Sequence, residues 1–180
     1  MAEIDAFANQ LLEEAKRFLE KARESPGSES EAANLHASLM LGFCALEAHI
    51  NAVAEEFSNR PELSAHEKGI LLERDVRLEN GEFRLTPALR IARLEDRIQF
   101  LHLHFSGREV DRSSAWWGEL GSAITLRNEL THAKDVPNIN IRSVSAALKA
   151  IIDTLSAIYE AIYKRPFPPA ARVLQSRLTF

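Results

Sequence analysis

One segment of the chain, from Leu35 to Phe57, constrains the fold more than any other. Apolar residues recur along it at helical spacing, and its remaining faces are also largely apolar through the middle. A helix of this kind must be surrounded by other elements, which places it at the centre of a bundle. The chain has only seven Gly and seven Pro, and its frequent Leu, Ala, Glu and Arg favour helix over sheet. The sequence therefore predicts an all-α protein with few or no strands.

The rest of the chain divides into further segments with helical periodicity, separated by turn residues. Ser64 and Glu67 form a capping box, and Thr86-Pro87 has the pattern of an N-cap followed by a first helical residue. The expected helices run from Ile4 to Arg23, from about Glu29 to about Phe57, from Ala65 to Leu78, from Pro87 to about His104, from Ser113 or Ser114 to about His132, and from about Asn140 to Ile162. Together they predict an up-and-down helical bundle of about five to six helices.

The length of 180 residues suits one well-buried core. We expect a single helical domain over residues 1–165, followed by a Pro-rich C-terminal tail over residues 166–180. We expect that tail to form a short helix or to dock its Phe on a neighbouring element.

Charge and cysteine content bear on location and partners. The N-terminus carries acidic residues where a signal peptide carries basic ones, and no apolar run approaches the roughly 18 residues that span a bilayer. The single Cys44 lies in an apolar run, where a thiol is usually buried. We therefore expect a cytoplasmic protein with no membrane contact. The formal net charge of −4 provides no global field for nucleic acid, so any phosphate contact must come from local basic clusters.

Arg127 stands out in the fifth predicted helix because it falls close to the centre of an apolar stripe that includes Leu120 and Ala123. Burying a charge without a partner costs several kcal/mol. Arg127 must therefore pair with a carboxylate, bind an anionic ligand or lie at a subunit contact.

Two further polar residues lie beside this arginine. Asn128 and His132 are four residues apart and share the adjoining helix face, within reach of Arg127. An arginine can stabilise charge on phosphoryl oxygens, a histidine can move protons near neutral pH, and an amide can orient either group. The patch therefore contains the components needed for phosphodiester chemistry.

The segment Arg127-Asn128-Glu129-Leu130-Thr131-His132 resembles the motif of HEPN-domain proteins, in which four to six residues separate an Arg from a His. The match includes the polar residue directly after the Arg. The similarity extends to a central helix with Leu46-Glu47-Ala48-His49-Ile50-Asn51, and to a polar loop and a final amphipathic helix after the motif. This covers most of the chain.

The resemblance implies a HEPN-like bundle that forms a homodimer, in which two copies of the motif face each other and make one metal-independent endoribonuclease site. Many HEPN proteins resemble toxins of toxin–antitoxin or phage-defence systems, often beside a nucleotidyltransferase-like antitoxin. Others act as non-catalytic binding or assembly modules for a partner protein or a nucleotide. We expect RNA as the substrate, with 2′,3′-cyclic phosphate ends, and no cofactor.

These expectations assign roles to particular residues. His132 is the expected general acid or base, Arg127 the group that stabilises the transition state, and Asn128 the residue that orients them. Glu47 and Thr131 are expected to support the motif. For Glu47 this support is an ion pair with Arg127 or a contact that orients His132. Alternatively, Arg127 and His132 only cap a helix C-terminus, and Glu47 only forms an ion pair at a partly wet bundle edge.

A series of arginines precedes the motif helix, and these are candidates for guiding an RNA backbone: Arg90, Arg93 and Arg97. The alternative is a solvated helix face with ordinary ion pairs. His102 and His104 are two residues apart and point to opposed faces of a helix, with no Cys or acidic partner nearby, so the sequence predicts no metal site.

Overall fold

The computed structural model describes residues 2–180, and these form six α-helices and one two-stranded antiparallel sheet. The protein is therefore mostly helical, as the sequence predicts. The elements are α1 (Ala2–Glu24), α2 (Glu29–Ser58), α3 (Ala65–Leu72), β1 (Arg74–Glu79), β2 (Glu82–Leu89), α4 (Leu94–Ser106), α5 (Ala115–Thr131) and α6 (Ile141–Tyr163), followed by a 3-10 helix (Pro168–Arg172).

The centre of the bundle is the contact between α2 and α6. Both helices are long, and buried residues recur along almost their entire length. Gly42 of α2 makes the close approach possible, because a Cβ atom there would lie 2.5 Å from Cδ2 of Leu148 and 3.2 Å from Cδ1 of Ile151. Helix α1 packs along α2, while α4 and α5 pack against α6. The predicted central position of α2 is confirmed.

Helix α2 is also long and apolar enough, by length and composition, to cross a membrane, whereas the sequence predicts no such segment. Of its most apolar 18-residue window, 61% is buried inside the bundle. Burial of this extent is what a core helix shows.

The hairpin of β1 and β2 replaces parts of two predicted helices. The third helix ends at Leu72 rather than Leu78, and the helix predicted from Pro87 begins only at Leu94. Asn80 and Gly81 both have positive φ angles, 53° and 84°, which suit a tight hairpin turn. The register pairs apolar residues of the two strands on one face of the hairpin, Val76 with Leu85 and Leu78 with Phe83. Both helix predictions were wrong here, because period-2 alternation governs this stretch.

The segment after α6, residues 164–180, folds back onto α1, and we call it the C-terminal arm. It contacts a buried ion pair of α1, in which Nζ of Lys16 lies 3.3 Å from Oε1 of Glu13. Lys16 also donates a 3.3 Å hydrogen bond to the Pro169 carbonyl, and the Arg177 backbone N–H donates one of 2.6 Å to Glu13. The Lys16 side chain is completely buried. The predicted tail thus packs on the helical body.

His49 lies on the side of α2 that faces α6 and the C-terminal arm. It is 1% exposed, and neither of its ring nitrogens has a hydrogen-bond partner. The rings of Tyr159 and Phe167 stand edge-on to it, at centroid distances of 6.3 and 5.1 Å. Burial away from water lowers the pKa of His49 from 6.5 to about 4. The folded state therefore holds this imidazole neutral at neutral pH.

This lowered pKa predicts a loss of stability in mild acid. Between pH 6.5 and about 4 the unfolded chain binds a proton on His49 that the folded chain does not, so stability falls as pH falls through this window. The contribution between pH 7.5 and pH 5 is about 2 kcal/mol. Urea unfolding at both pH values should show this loss in the wild type and a smaller loss in His49→Leu. The exposed His36 provides the control variant His36→Leu. Equal pH dependence in the wild type and His49→Leu would contradict the prediction.

Candidate functional site

The motif residues lie at the C-terminal end of α5. The side of α5 that packs on the bundle carries Leu120, Ala123 and Ile124, all buried, and Arg127 follows them on the same side, half-buried. His132 is the C-cap residue, with its backbone N–H donating to the Asn128 carbonyl at 2.9 Å. The stripe position that the sequence indicates for Arg127 is confirmed.

Arg127 is held by packing rather than by an ion pair. Its guanidinium carbon lies 5.1 Å from the centre of the Phe43 ring of α2, a cation–π arrangement. Its Nε is buried and has no hydrogen-bond partner, and within residues 2–180 the guanidinium forms no salt bridge. An arginine in this state retains its charge and its terminal donors for an anion.

Two cavities meet at the motif. One of about 440 Å³ is lined by Arg127 and Asn128 together with Glu47 and Arg97, and the other of about 570 Å³ is lined by Asn128 and His132 together with the loop after α5. Asn128 lines both cavities. Within one chain, therefore, the cation and the imidazole face neighbouring cavities with the amide between them.

His132 and Thr131 differ in their surroundings. The His132 side chain is exposed and makes no hydrogen bond within the described part of the chain, so its ring nitrogens are free for a ligand. The hydroxyl of Thr131 donates to the Arg127 carbonyl at 3.0 Å, which stabilises the last turn of α5. Thr131 thus acts on the helix end.

Glu47 lines the same cavity as Arg127 but is exposed, and the predicted ion pair between the two is not formed. The reason is that Phe43, one helical turn before Glu47, occupies the position against the guanidinium.

Cys44 is exposed on the same side of α2, so its expected burial was wrong. Loss of water around the sulfur raises the pKa of the Cys44 thiol, and the nearby Glu47 carboxylate raises it further.

Arg97 is neither on a solvated helix face nor exposed to guide an RNA backbone, so both sequence interpretations of this residue were wrong. It is 4% exposed and forms a 3.2 Å salt bridge with Glu73. Its Nη2 also donates to Oδ1 of Asn51 at 2.7 Å and to the Leu71 carbonyl at 3.0 Å. Burial lowers the pKa of Arg97, and Glu73 opposes that change. These contacts join α2, α3 and α4 beneath the Arg127 cavity.

Arg90 and Arg93, by contrast, are exposed at the surface. The side chain of Arg93 is 76% exposed, forms a 3.5 Å pair with Glu95 and lines the Arg127 cavity. Both arginines therefore remain available to a polyanion. Among residues 2–180 no group of three His, Cys, Asp or Glu side chains is placed to hold a metal ion.

No family model, curated protein or solved structure matches this chain. The likeness to HEPN proteins therefore depends on the motif residues and on the order of the helices around them.

Some of the residues around the motif were not predicted. Leu89 and Ile91 line the Arg127 cavity with exposures of 72% and 77%. They lie at the end of β2 and in the connection to α4, where the sequence predicts a helix. No sequence pattern therefore indicated that these two side chains line the cavity. Phe43 could have been identified, because it lies four residues before Glu47 on the same side of α2.

The contrast between Arg97 and Arg93 predicts two different effects of removing an arginine from this region. Arg97→Ala should reduce the free energy of unfolding by about 3 kcal/mol, because it leaves Glu73 and Asn51 without their partner. Arg93→Ala should change it by less than about 0.5 kcal/mol, because the side chain is solvated. Urea denaturation of the two variants measures both values. Similar stability of the two variants would contradict the structural role of Arg97.

Proposed function

We propose that the protein is a metal-independent endoribonuclease of the HEPN type, with an active site formed from two chains. The observation that carries this proposal is the unpaired Arg127 guanidinium, which lies at an open cavity beside Asn128. A half-buried cation without a carboxylate partner favours binding of an anion such as a phosphodiester.

The reaction that these groups suit is transesterification within RNA. The 2′-oxygen attacks the adjacent phosphorus, the bond from phosphorus to the 5′-oxygen breaks, and a 2′,3′-cyclic phosphate and a 5′-hydroxyl remain. One His132 imidazole accepts the 2′-hydroxyl proton or delivers a proton to the leaving oxygen. Arg127 stabilises the negative charge on the phosphoryl oxygens, and Asn128 orients the phosphate.

A second copy of the chain supplies what a single chain lacks. Because Arg127 and His132 face neighbouring cavities, a two-fold dimer across α5 would give the phosphate two arginines and two histidines, one as base and one as acid.

Arg90 and Arg93 are proposed to guide the RNA backbone toward the site. A toxin role, with a nucleotidyltransferase-like antitoxin as partner, is proposed on the same basis as the HEPN assignment.

The outer face of α5 supports the dimer. It carries a row of small or polar exposed residues, namely Gly118, Gly121, Ser122, Thr125, Asn128 and His132. A glycine inside a helix costs about 1 kcal/mol relative to alanine. A Cβ atom on either glycine would meet no atom within 4 Å, so nothing in the chain itself requires them. Close approach of a second α5 helix would require them.

Gly121→Leu should therefore weaken the dimer although it favours helix within one chain. Multi-angle light scattering and sedimentation should report a dimer for the wild type and at least a tenfold weaker dimer for the variant. Ala33→Leu is the matched control, because Ala33 is an exposed helical residue on α2. A wild type that stays monomeric at micromolar concentration, or an unaffected Gly121→Leu dimer, would contradict the arrangement.

RNA cleavage should persist in excess chelator and leave cyclic phosphate ends, while DNA, which lacks the 2′-hydroxyl, should remain intact. His132→Ala removes proton transfer and should lower the rate by about 10²–10⁴-fold. Arg127→Ala removes charge stabilisation and should lower it by about 10²–10³-fold. Arg127→Lys should restore activity only partly, because an ammonium cannot reproduce the planar fork.

Gel assays on total cellular RNA and expression toxicity in a host without antitoxin test this scheme. His36→Ala and Arg142→Ala remove one imidazole and one guanidinium from exposed positions outside the motif and should leave activity unchanged. Equal cleavage by the wild type and both motif Ala variants would identify a contaminating nuclease. Absence of cleavage and of toxicity in all proteins would favour a non-catalytic HEPN-like module that binds a partner protein or a nucleotide.

A further inference from the structure

Another cavity, separate from the two at the motif, lies between α1 and the C-terminal arm, and we call it the arm cleft. Its volume is about 680 Å³. Sites for small molecules commonly measure about 300–1,000 Å³. Tyr159 and Phe167 form its aromatic floor, and α1 contributes Asp5 and Glu13 to one wall. The size suits a compact metabolite.

The arm cleft is also lined by basic side chains. Arg165, Arg172 and Arg177 line it, and within the described residues none of their guanidinium groups forms a salt bridge. Residues 161–180 contain four basic and no acidic side chains, in a chain whose net charge is −4. This concentration of unpaired arginines creates a local positive potential that attracts an anion. The guanidinium fork matches the geometry of phosphate oxygens.

The cleft is held in place by the buried network beneath it. Glu13 is engaged by Lys16 and by the Arg177 backbone N–H, so its negative charge is compensated inside the protein. Ser176 adds a 2.8 Å hydrogen bond to the Glu13 carbonyl. A wall fixed in this way binds a ligand without first losing the conformational freedom of a loose segment.

Asp5 and the Tyr159 hydroxyl can both accept hydrogen bonds from a ligand, and the hydroxyl can also donate one. Asp5 forms no salt bridge among residues 2–180, and the Tyr159 hydroxyl makes no hydrogen bond within that range although its ring is almost fully buried. A carboxylate and a phenol in one cleft with three arginines suit a molecule that carries both hydroxyl groups and a phosphate.

We propose that the arm cleft binds a small sugar phosphate, with the phosphate on Arg165 and Arg172 and the hydroxyls on Asp5 and Tyr159. This site goes beyond the proposed ribonuclease function. His49 contacts the cleft floor, and Glu47 lines the Arg127 cavity. The two residues are two positions apart in α2, which places them about 200° apart around the helix. The two sites lie on opposite sides of that helix, so either can fail without the other.

Calorimetric titration with ribose 5-phosphate, ribose and inorganic phosphate tests the proposal. Ribose 5-phosphate should bind at least tenfold more tightly than either of the other two probes. The double variant Arg165→Gln/Arg172→Gln should weaken its binding by at least about tenfold, as expected for lost charge-assisted hydrogen bonds. Arg142→Gln, at an exposed arginine on the first turn of α6, should not change it.

Tyr159→Phe separates the sugar from the phosphate. It should weaken ribose 5-phosphate binding severalfold and leave binding of inorganic phosphate unchanged, and circular dichroism should show that each variant is folded. No measurable binding of ribose 5-phosphate, equal binding of inorganic phosphate and ribose 5-phosphate, or equal affinity of the double variant and the wild type would overturn the proposal.

Discussion

The close contact of α2 with α6 at Gly42 is the constraint on which the rest of the structure depends. It brings two long, largely buried helices together, and every functional feature is positioned relative to α2. Phe43 supports Arg127, Glu47 lines the cavity beside it, and His49 faces the C-terminal arm. Because protein interiors are close-packed, a displacement of α2 at Gly42 would move both the motif cavity and the floor of the arm cleft.

Arg97 and Arg127 are stabilised in different ways. Arg97 is buried with a carboxylate, an amide and a carbonyl around it, which makes it a structural cation. Arg127 has only the Phe43 ring and an unsatisfied Nε. A cation–π contact contributes about 0.5–2 kcal/mol, less than the several kcal/mol that burial of a charge costs. Partial exposure of the Arg127 guanidinium to water at the cavity offsets the rest of this cost, and a bound anion would stabilise the charge further.

Sequence periodicity predicted the helices that bury a continuous apolar stripe, and it placed Arg127 correctly on the inner side of α5. It failed in the hairpin region, where the alternating Val76, Leu78, Phe83 and Leu85 around Asn80-Gly81 indicate strands. The predicted helices instead covered this alternation, one up to Leu78 and the next from the Thr86-Pro87 pair, and a short apolar segment fits either period. The exposure of Cys44 and the burial of Arg97 depend on which neighbours each helix face meets. Those contacts are tertiary, and no local pattern encodes them.

The burial of Lys16 has a consequence for how the chain folds during synthesis. Its carbonyl acceptor, at Pro169, lies 153 residues further along the chain. Until that stretch has left the ribosome, α1 exposes the Lys16 and Glu13 face to water. Contacts between such distant residues form late and slowly, because closing a long loop costs entropy before any contact compensates for it. Completion of the native state thus awaits the C-terminal arm, and a nascent chain interrupted before it would be a ready substrate for proteases.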